Sequence, residues 1–445
     1  MARHYFTSAS LAFALVATMT SSGVMAGKEG QGRPASQCRV DCSDWAWKDH
    51  ESCETPDENN EGVCPLAVAV KRGYDDAPVA SNFAANFKDS ASDLNKGNMF
   101  FRLNNVIDER KPNGIKITAW LDINNDGQYE AVGRRFHPDY MAAVGKKAGG
   151  GNLSKGQYLY DTIDVYSQSQ SGWERTGAIT NTTCVHARRA LPGDFNNDGL
   201  IDVLYACHGF DNKPFPGSQN ALFLNKGDGT FSESAIGKPG YYHGASTEDF
   251  NKDGFVDLLV SDAEKKKFYV FINDKNGGFL SPSTDYVKTG WGKKSKYYVV
   301  SAVDANNDGQ FDLLLGGHEN GGAKTKLLVN KGDNHFSLSK AITIPPVITH
   351  PDVKDLFAHN GFVYVLRSAG GSYWKKSDSY GEVIQKYNVS NKTSELIFEY
   401  ECNRKNDSGC GSVFEQLSLY KDSTGKSYLI GENAFFTKQK RVAIK

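Results

Sequence analysis

Short apolar runs bounded by turn residues recur along the chain after residue 66, and none carries a helical period. Val203-Leu204-Tyr205-Ala206, Leu258-Leu259-Val260 and Leu313-Leu314-Leu315 are each long enough for one buried strand. Further on in each unit comes an apolar run, an Asn/Gly-rich turn and a Phe. These segments are Leu222–Phe231, Val270–Phe279 and Leu328–Phe336, and they read as strand, turn, strand. The pattern steps by 55 residues. One period holds about four strands and no helix, which predicts four-stranded blades repeated radially, an all-β propeller.

The frame extends beyond its clearest copies. His359-Asn360-Gly361 precedes Val363-Tyr364-Val365-Leu366, and Asp422 to Gly425 precede Tyr428-Leu429-Ile430, giving two later blades. Upstream, Met99 to Asn104 match the third-strand signature and place a first loop near Tyr74-Asp75-Asp76. The count is seven blades. Only Phe435 to Lys445 follow the last hairpin, so a strand from upstream of Leu66 is expected to complete the final blade and remove an exposed edge.

The turn before each buried run is acidic. Four segments align without gaps as D-x-N-x-D-G-x-x-D/E: Asp122, Asn124, Asp126 and Glu130; Asp194, Asn196, Asp198 and Asp202; Asp249, Asn251, Asp253 and Asp257; Asp304, Asn306, Asp308 and Asp312. The step from the first to the second is 72, with the excess expected as a loop at Gly145–Gly151. Alternate oxygens on a tight glycine-bearing turn suit a hard cation, and three carboxylates per loop favour Ca²⁺ over Mg²⁺. Position 12 holds Gly133, Tyr205, Val260 and Leu315 instead of an acid, and strands flank the loops, which excludes an EF-hand. The competing expectation is a set of metal-free Asx turns.

On these residues the chain resembles FG-GAP/VCBS repeats, whose seven-bladed propeller is found in integrin α chains, a fungal lectin and many secreted bacterial proteins. The resemblance spans residues 66–445 and is strongest in the second to fifth blades. It implies Ca²⁺ at the four matching loops. It implies little about activity, because adhesion modules, lectins and lyases share it. About four structural calcium sites are expected. Filled at tenfold excess over Kd, independent sites would add roughly 5–6 kcal/mol.

Composition changes this picture in three ways. With 51 Lys+Arg against 52 Asp+Glu, the charge of −1 gives no case for nucleic acid or an anionic membrane. Residues 1–26 have a basic start, an apolar Leu11–Ala17 core and a Val24-Met25-Ala26 cleavage pattern, the features of a signal peptide; no membrane insertion of the remaining chain is expected. Eight cysteines fit an extracellular or periplasmic location. Cys38, Cys42, Cys53 and Cys64 would staple the segment 27–65 in one of three connectivities, with a zinc site as the competitor. Cys184 can pair with Cys207, and Cys402 with Cys410.

Ligand chemistry is expected on the face opposite the acidic loops, where first strands begin and second strands end. His186, Arg188, His208, Tyr242, His243, Asp262, His318, Glu319 and Arg367 fall there. The alternative for each is a hydrogen bond to a neighbouring blade. Trp45, Trp47, Trp291, Tyr373 and Trp374 would suit sugar stacking or packing. No hydrolase, metalloprotease or nucleotide-binding motif occurs. The sequence therefore points to a secreted, calcium-stabilised module that binds glycans or cell-surface and matrix proteins. The alternatives are a polysaccharide lyase or hydrolase on the same propeller and a scaffold of an exported assembly.

Overall fold

The computed structural model describes most of the chain from Tyr160 to Ile444. Gaps there fall at 170–171, 211–216, 289–290, 292–294, 370–378, 404, 406–413, 415, 422–425 and 433–438. It also describes the strands Asn98–Met99, Val106–Ile107, Lys116–Leu121 and Glu130–Arg135 and residues 123–124. The expected signal peptide, the cysteines of segment 27–65, the loop near Asp75, Asp122, Asp126, the Gly145–Gly151 insertion and Cys410 lie outside the described residues.

The described residues form an all-β molecule of consecutive antiparallel meanders. The first sheet is Lys116–Leu121, Glu130–Arg135, Thr162–Ser169 and Gly172–Ile179, with Val106–Ile107 added in parallel at its outer edge. The second is Ala187–Gly193, Asp202–Cys207, Ser218–Asn225 and Phe231–Gly240; the third is Tyr242–Glu248, Asp257–Asp262 and Lys267–Phe271. The fourth is Tyr297–Val303, Asp312–Gly317, Lys326–Leu328 and Ile342–Thr343; the fifth is Asp352–His359, Phe362–Ser368, Ser379–Asn388 and Ser394–Asn403. Gln416–Lys421, Ser427–Glu432 and Gln439–Ala443 make the sixth.

The sixth sheet takes its outer strand from the other end of the chain, since Asn98 pairs with Lys440 and Met99 with Gln439. This corrects two expectations. Met99 does not open a third strand of a blade of its own, and the lent strand comes from residue 98, not from upstream of Leu66. The reason is the three-strand C-terminal hairpin, whose last strand would otherwise leave its ladder groups unpaired.

The second strands of the second to fifth sheets are buried on both faces, so their alternate side chains serve different neighbours. Val203 and Tyr205 pack toward the first sheet with Val132 and Ile163, whereas Leu204 and Ala206 pack toward the third with Leu258 and Val260. Leu259 then joins Leu313 and Leu315, and Leu314 joins Leu356 and Val365. This is why these runs are continuously apolar instead of alternating. At about 25 cal/mol per Å² of apolar surface removed from water, such strands dominate the core's stabilisation.

The first strands line the inside. Those of the second to fifth sheets pack in succession, and Arg189 of the second forms an ion pair with Asp355 of the fifth at 2.8 Å. Two sheets lie between these residues in sequence, so this buried pair crosses the interior. Five first strands carry a β-bulge near their start, leaving Thr118, Arg188, His243, Tyr298 and Lys354 as extra residues in the ladder. A bulge re-aims its residue and increases local twist.

Candidate functional site

The acidic loops and the bulges lie at opposite ends of the strands. Three loops are described throughout and share one hydrogen-bond plan. In Asp194–Asp202, Asp194 Oδ1 accepts from Asp198 N at 3.2 Å and Oδ2 from Gly199 N at 3.0 Å. Asn196 Oδ1 accepts from the same Asp198 amide, and Asn196 Nδ2 donates to Asp198 Oδ2. Asp249–Asp257 and Asp304–Asp312 repeat these bonds. The turn requires left-handed backbone twice, at Asn197 and Gly199, at Lys252 and Gly254, and at Asn307 and Gly309. This explains the glycine at position 6.

Position 9 has a different duty. Asp202 Oδ2 accepts from Phe195 N and Oδ1 from Asn225 N, both at 2.8 Å. Asp257 does the same for Phe250 and Asn273, and Asp312 for Ala305 and Asn330. In the first loop Glu130 Oε2 accepts from Ile123 N at 3.0 Å. Asp202, Asp257 and Asp312 thus tie their loops to the end of the third strand of their own sheet or the residues just beyond it. Burial raises Asp202 to about 8 and Asp257 and Asp312 to about 7, with nearby loop carboxylates adding to the rise. Asp194 rises to about 6 for the same reasons, and Asp249 and Asp304 are also raised.

Among the described residues no three His, Cys, Asp or Glu side chains close on one point. The donor chemistry of the loops nonetheless fits a hard cation, since it consists of carboxylate and carboxamide oxygens, several of them desolvated. Asp253 also meets a protein cation, Lys275, at 3.1 Å.

At the opposite end, rings from three sheets form a continuous row. His186 and His208 centroids are 3.9 Å apart; His208 lies 4.6 Å from Tyr241 and 5.4 Å from His243, with the two imidazole planes 6° apart. His243 then meets Tyr298 at 4.6 Å, and Tyr298 meets His318 at 4.8 Å. Stacked rings present faces to each other, so His208 and His243 do not converge as ligands of one metal ion. Burial holds His186, His208 and His243 well below the usual imidazole value, and the Arg188 charge adds to this.

The disulfide Cys184–Cys207 joins the segment before the second sheet to the end of its second strand, with Cα atoms 5.5 Å apart. It sits beside His186, which is held at φ 56°, and His208. Asp161 also fixes this corner by accepting from His186 N and Ala187 N and pairing with Arg134. Cys402 is also disulfide-bonded.

Access divides the expected ligand residues. Arg188 and His243 are half-buried and His318 is exposed, so these three reach the surface. His208 is 0% exposed and His186 7%, so they support the row from beneath. His318 Nδ1 bonds to Asp352 Oδ1. The four other expected residues, Glu319, Arg367, Tyr242 and Asp262, are used inside the protein. Arg367 is fully buried, pairs with Glu319 at 2.9 Å and donates to Gln385 and Thr325. Tyr242 donates to Lys238 O, and Asp262 caps its hairpin at Glu264 N and Lys265 N.

Sequence reasoning missed Tyr298, yet its signal was present. Arg188, His243 and Tyr298 are 55 residues apart and all are bulge residues. Lys354, the next bulge residue, bonds to Glu382 at 2.5 Å, which closes that position. Trp291 is half-buried and packs on Phe268 and Tyr297 against the core.

The FG-GAP-like repeat family matches residues 194–260 and 249–315. No curated protein matches the chain. Similar solved structures include an Agrocybe aegerita lectin described as recognising non-reducing terminal N-acetylglucosamine, at 17% identity over 52% of this chain and 66% of that one, TM-score 0.30. A GH43_1 enzyme from Xanthomonas citri aligns at 9% identity over 83% and 94%, TM-score 0.31. A Schwanniomyces occidentalis fructofuranosidase complexed with fructose aligns at 13% over 66% and 62%, TM-score 0.32. The lectin and fructofuranosidase alignments span under two thirds of those proteins. Scores this low leave the ligand to be read from this chain's own residues. No helix among the described residues is long and apolar enough to cross a membrane. The acidic turn, the buried strand and the Asn-bearing segment after it recur together where the family matches, and residues 194–315 carry two consecutive FG-GAP-like repeats.

Proposed function

We propose that the chain is an exported, calcium-stabilised, seven-bladed propeller that binds a glycan or an extracellular protein through the face opposite its acidic loops. The observation that carries this reading is the accessible row Arg188, His243, Tyr298 and His318, contributed by three consecutive sheets. It combines a guanidinium, imidazoles and a phenol, which together donate, accept and stack, as sugar hydroxyls and ring faces require. Three of the four are bulge residues, so their side chains are set by the backbone and little ordering is left for the ligand to impose. Export is supported by the N-terminal pattern and by Cys184–Cys207.

Calcium would be held by Asp194, Asn196, Asp198 and Asp202, by Asp249, Asn251, Asp253 and Asp257, and by Asp304, Asn306, Asp308 and Asp312. Glu130 and Asn124 belong to the first loop of the same pattern. Bound there, the cation supplies positive charge to carboxylates that burial leaves poorly solvated.

A glycan array with the chain from Gly27 to Lys445 in millimolar calcium tests the binding reading. Selective binding that is lost in Arg188→Ala and His243→Ala, at unchanged melting temperature, is the expected result. A blank array from folded protein would remove glycans and leave protein partners.

The His318–Asp352 pair favours a second reading, a polysaccharide-cleaving enzyme. A carboxylate on Nδ1 orients an exposed imidazole as a general base. Incubation with polyuronates separates the two: a lyase generates unsaturated ends absorbing in the ultraviolet, and a lectin leaves the polymer intact.

A further inference from the structure

The third-strand asparagines do more than open a turn. Asn225 Nδ2 donates to Ile123 O of the preceding acidic loop at 2.6 Å. Asn273 Nδ2 donates to Phe195 O at 2.8 Å, again one repeat back. In the next repeat Asn334 takes this role, held by Asn330 Nδ2, and donates to Asp249 O and Phe250 O at 3.2 and 3.0 Å. Asn225, Asn273 and Asn334 are each 2% exposed, so these bonds are shielded from competing water.

Together with the position-9 carboxylates, these bonds form an unbroken relay. Asp257 accepts Asn273 N, and the Asn273 side chain holds the Phe195 carbonyl. Phe195 N donates to Asp202, and Asp202 accepts Asn225 N. The Asn225 side chain then holds the Ile123 carbonyl, and Ile123 N donates to Glu130. On the other side, Asp312 accepts Asn330 N and leads through Asn334 to the 249–257 loop.

We infer that the acidic loops are not independent sites, and that Asn225, Asn273 and Asn334 are positioning residues coupling each loop to the one before it. A cation that fixes Asp257 also fixes Asn273, and through it the peptide at Phe195 that positions Asp202. Sites linked this way fill cooperatively, and each is complete only when the next repeat is docked. The inference rests on the calcium reading above for its ligand, but Asn225, Asn273 and Asn334 are not among the proposed ligands.

The test is amide hydrogen exchange of residues 194–202 in the full chain as calcium is titrated, in a double-mutant cycle of Asp253→Ala and Asn273→Ala. Asp253 contacts nothing in the 194–202 loop, so disabling it should leave that loop's midpoint alone if the sites are independent. With Asn273 present, Asp253→Ala is expected to raise the 194–202 midpoint by about fivefold or more, the usual scale of coupling between sites. With Asn273→Ala, the further effect of Asp253→Ala should vanish. An unchanged midpoint with Asn273 in place, or an equal shift in both backgrounds, overturns the coupling while leaving calcium binding intact. Absence of calcium-dependent protection in any loop of the unmutated chain overturns both. Should Asn273→Ala fail to fold, Asp198→Ala with Asn225→Ala, read at Ile123 and Asn124, makes the same comparison on the adjoining pair.

Discussion

Asp202, Asp257 and Asp312 are fully buried and protonate far more readily than free aspartate, which has a direct consequence for pH. Their folded values lie at about 7 to 8, above the usual 3.8. In chelator the folded state therefore holds protons the unfolded state has released, and its stability falls as pH rises through that range. His186, His208 and His243 act in the opposite sense below their ordinary value of 6.5, where only the unfolded chain takes up protons. Between pH 6.5 and 8 the carboxylates alone decide. Melting temperature in EDTA should fall across this window and stay level in calcium, as scanning calorimetry would register. Asp253→Ala should lower the melting temperature more in calcium than in EDTA, where only its bonds to Asn251, Phe255 and Lys275 are lost; equal shifts in both would sink the metal assignment. The loop residues were legible because four copies lie in register. The position-9 role was not, because a carboxylate that braces two amides has the same letter as one that ligates a cation.

The bulged first strand is the element that brings unlike side chains of successive repeats to one level. It places Arg188, His243 and Tyr298 at one level, and beneath them Cys184–Cys207 fixes the His186–His208 corner. Closing a loop of 23 residues restricts the unfolded chain by about 3 kcal/mol on chain-entropy grounds. Cys184→Ser with Cys207→Ser should therefore lower stability by about that amount in denaturant melts, and should weaken ligand binding as well. Gly317 closes the second strand of the fourth sheet so tightly that a Cβ would stand 2.2 Å from Lys296 O. Gly317→Ala should cost about 1–3 kcal/mol, since backbone on backbone cannot yield cheaply. Strands and hairpins were readable from apolar runs and Asn/Gly turns. Bulges were not, because a one-residue excess in the ladder leaves no mark on hydrophobicity. Only the 55-residue spacing of three unlike residues, Arg, His and Tyr, betrayed them.

At the scale of the molecule, the sequence revealed a succession of β-repeats but misplaced the partner of the last sheet's outer strand. The acidic loops set the frame for the middle sheets, whereas Asn98–Met99 is too short and too ordinary to announce a partner at the far terminus. Its pairing with Gln439 and Lys440 spans 342 residues. Deleting residues 1–100 should leave Gln439–Ala443 as an open edge and yield oligomers at micromolar concentration, read by light scattering. The same pairing governs the order in which the chain can assemble. Synthesis delivers Met99 long before Gln439, so the inner sheets can stack early while this pairing waits. An emerging chain is thus committed to its core long before it is sealed. A protease cutting after residue 438 would separate Gln439–Ala443 and leave Asn98–Met99 without its mate.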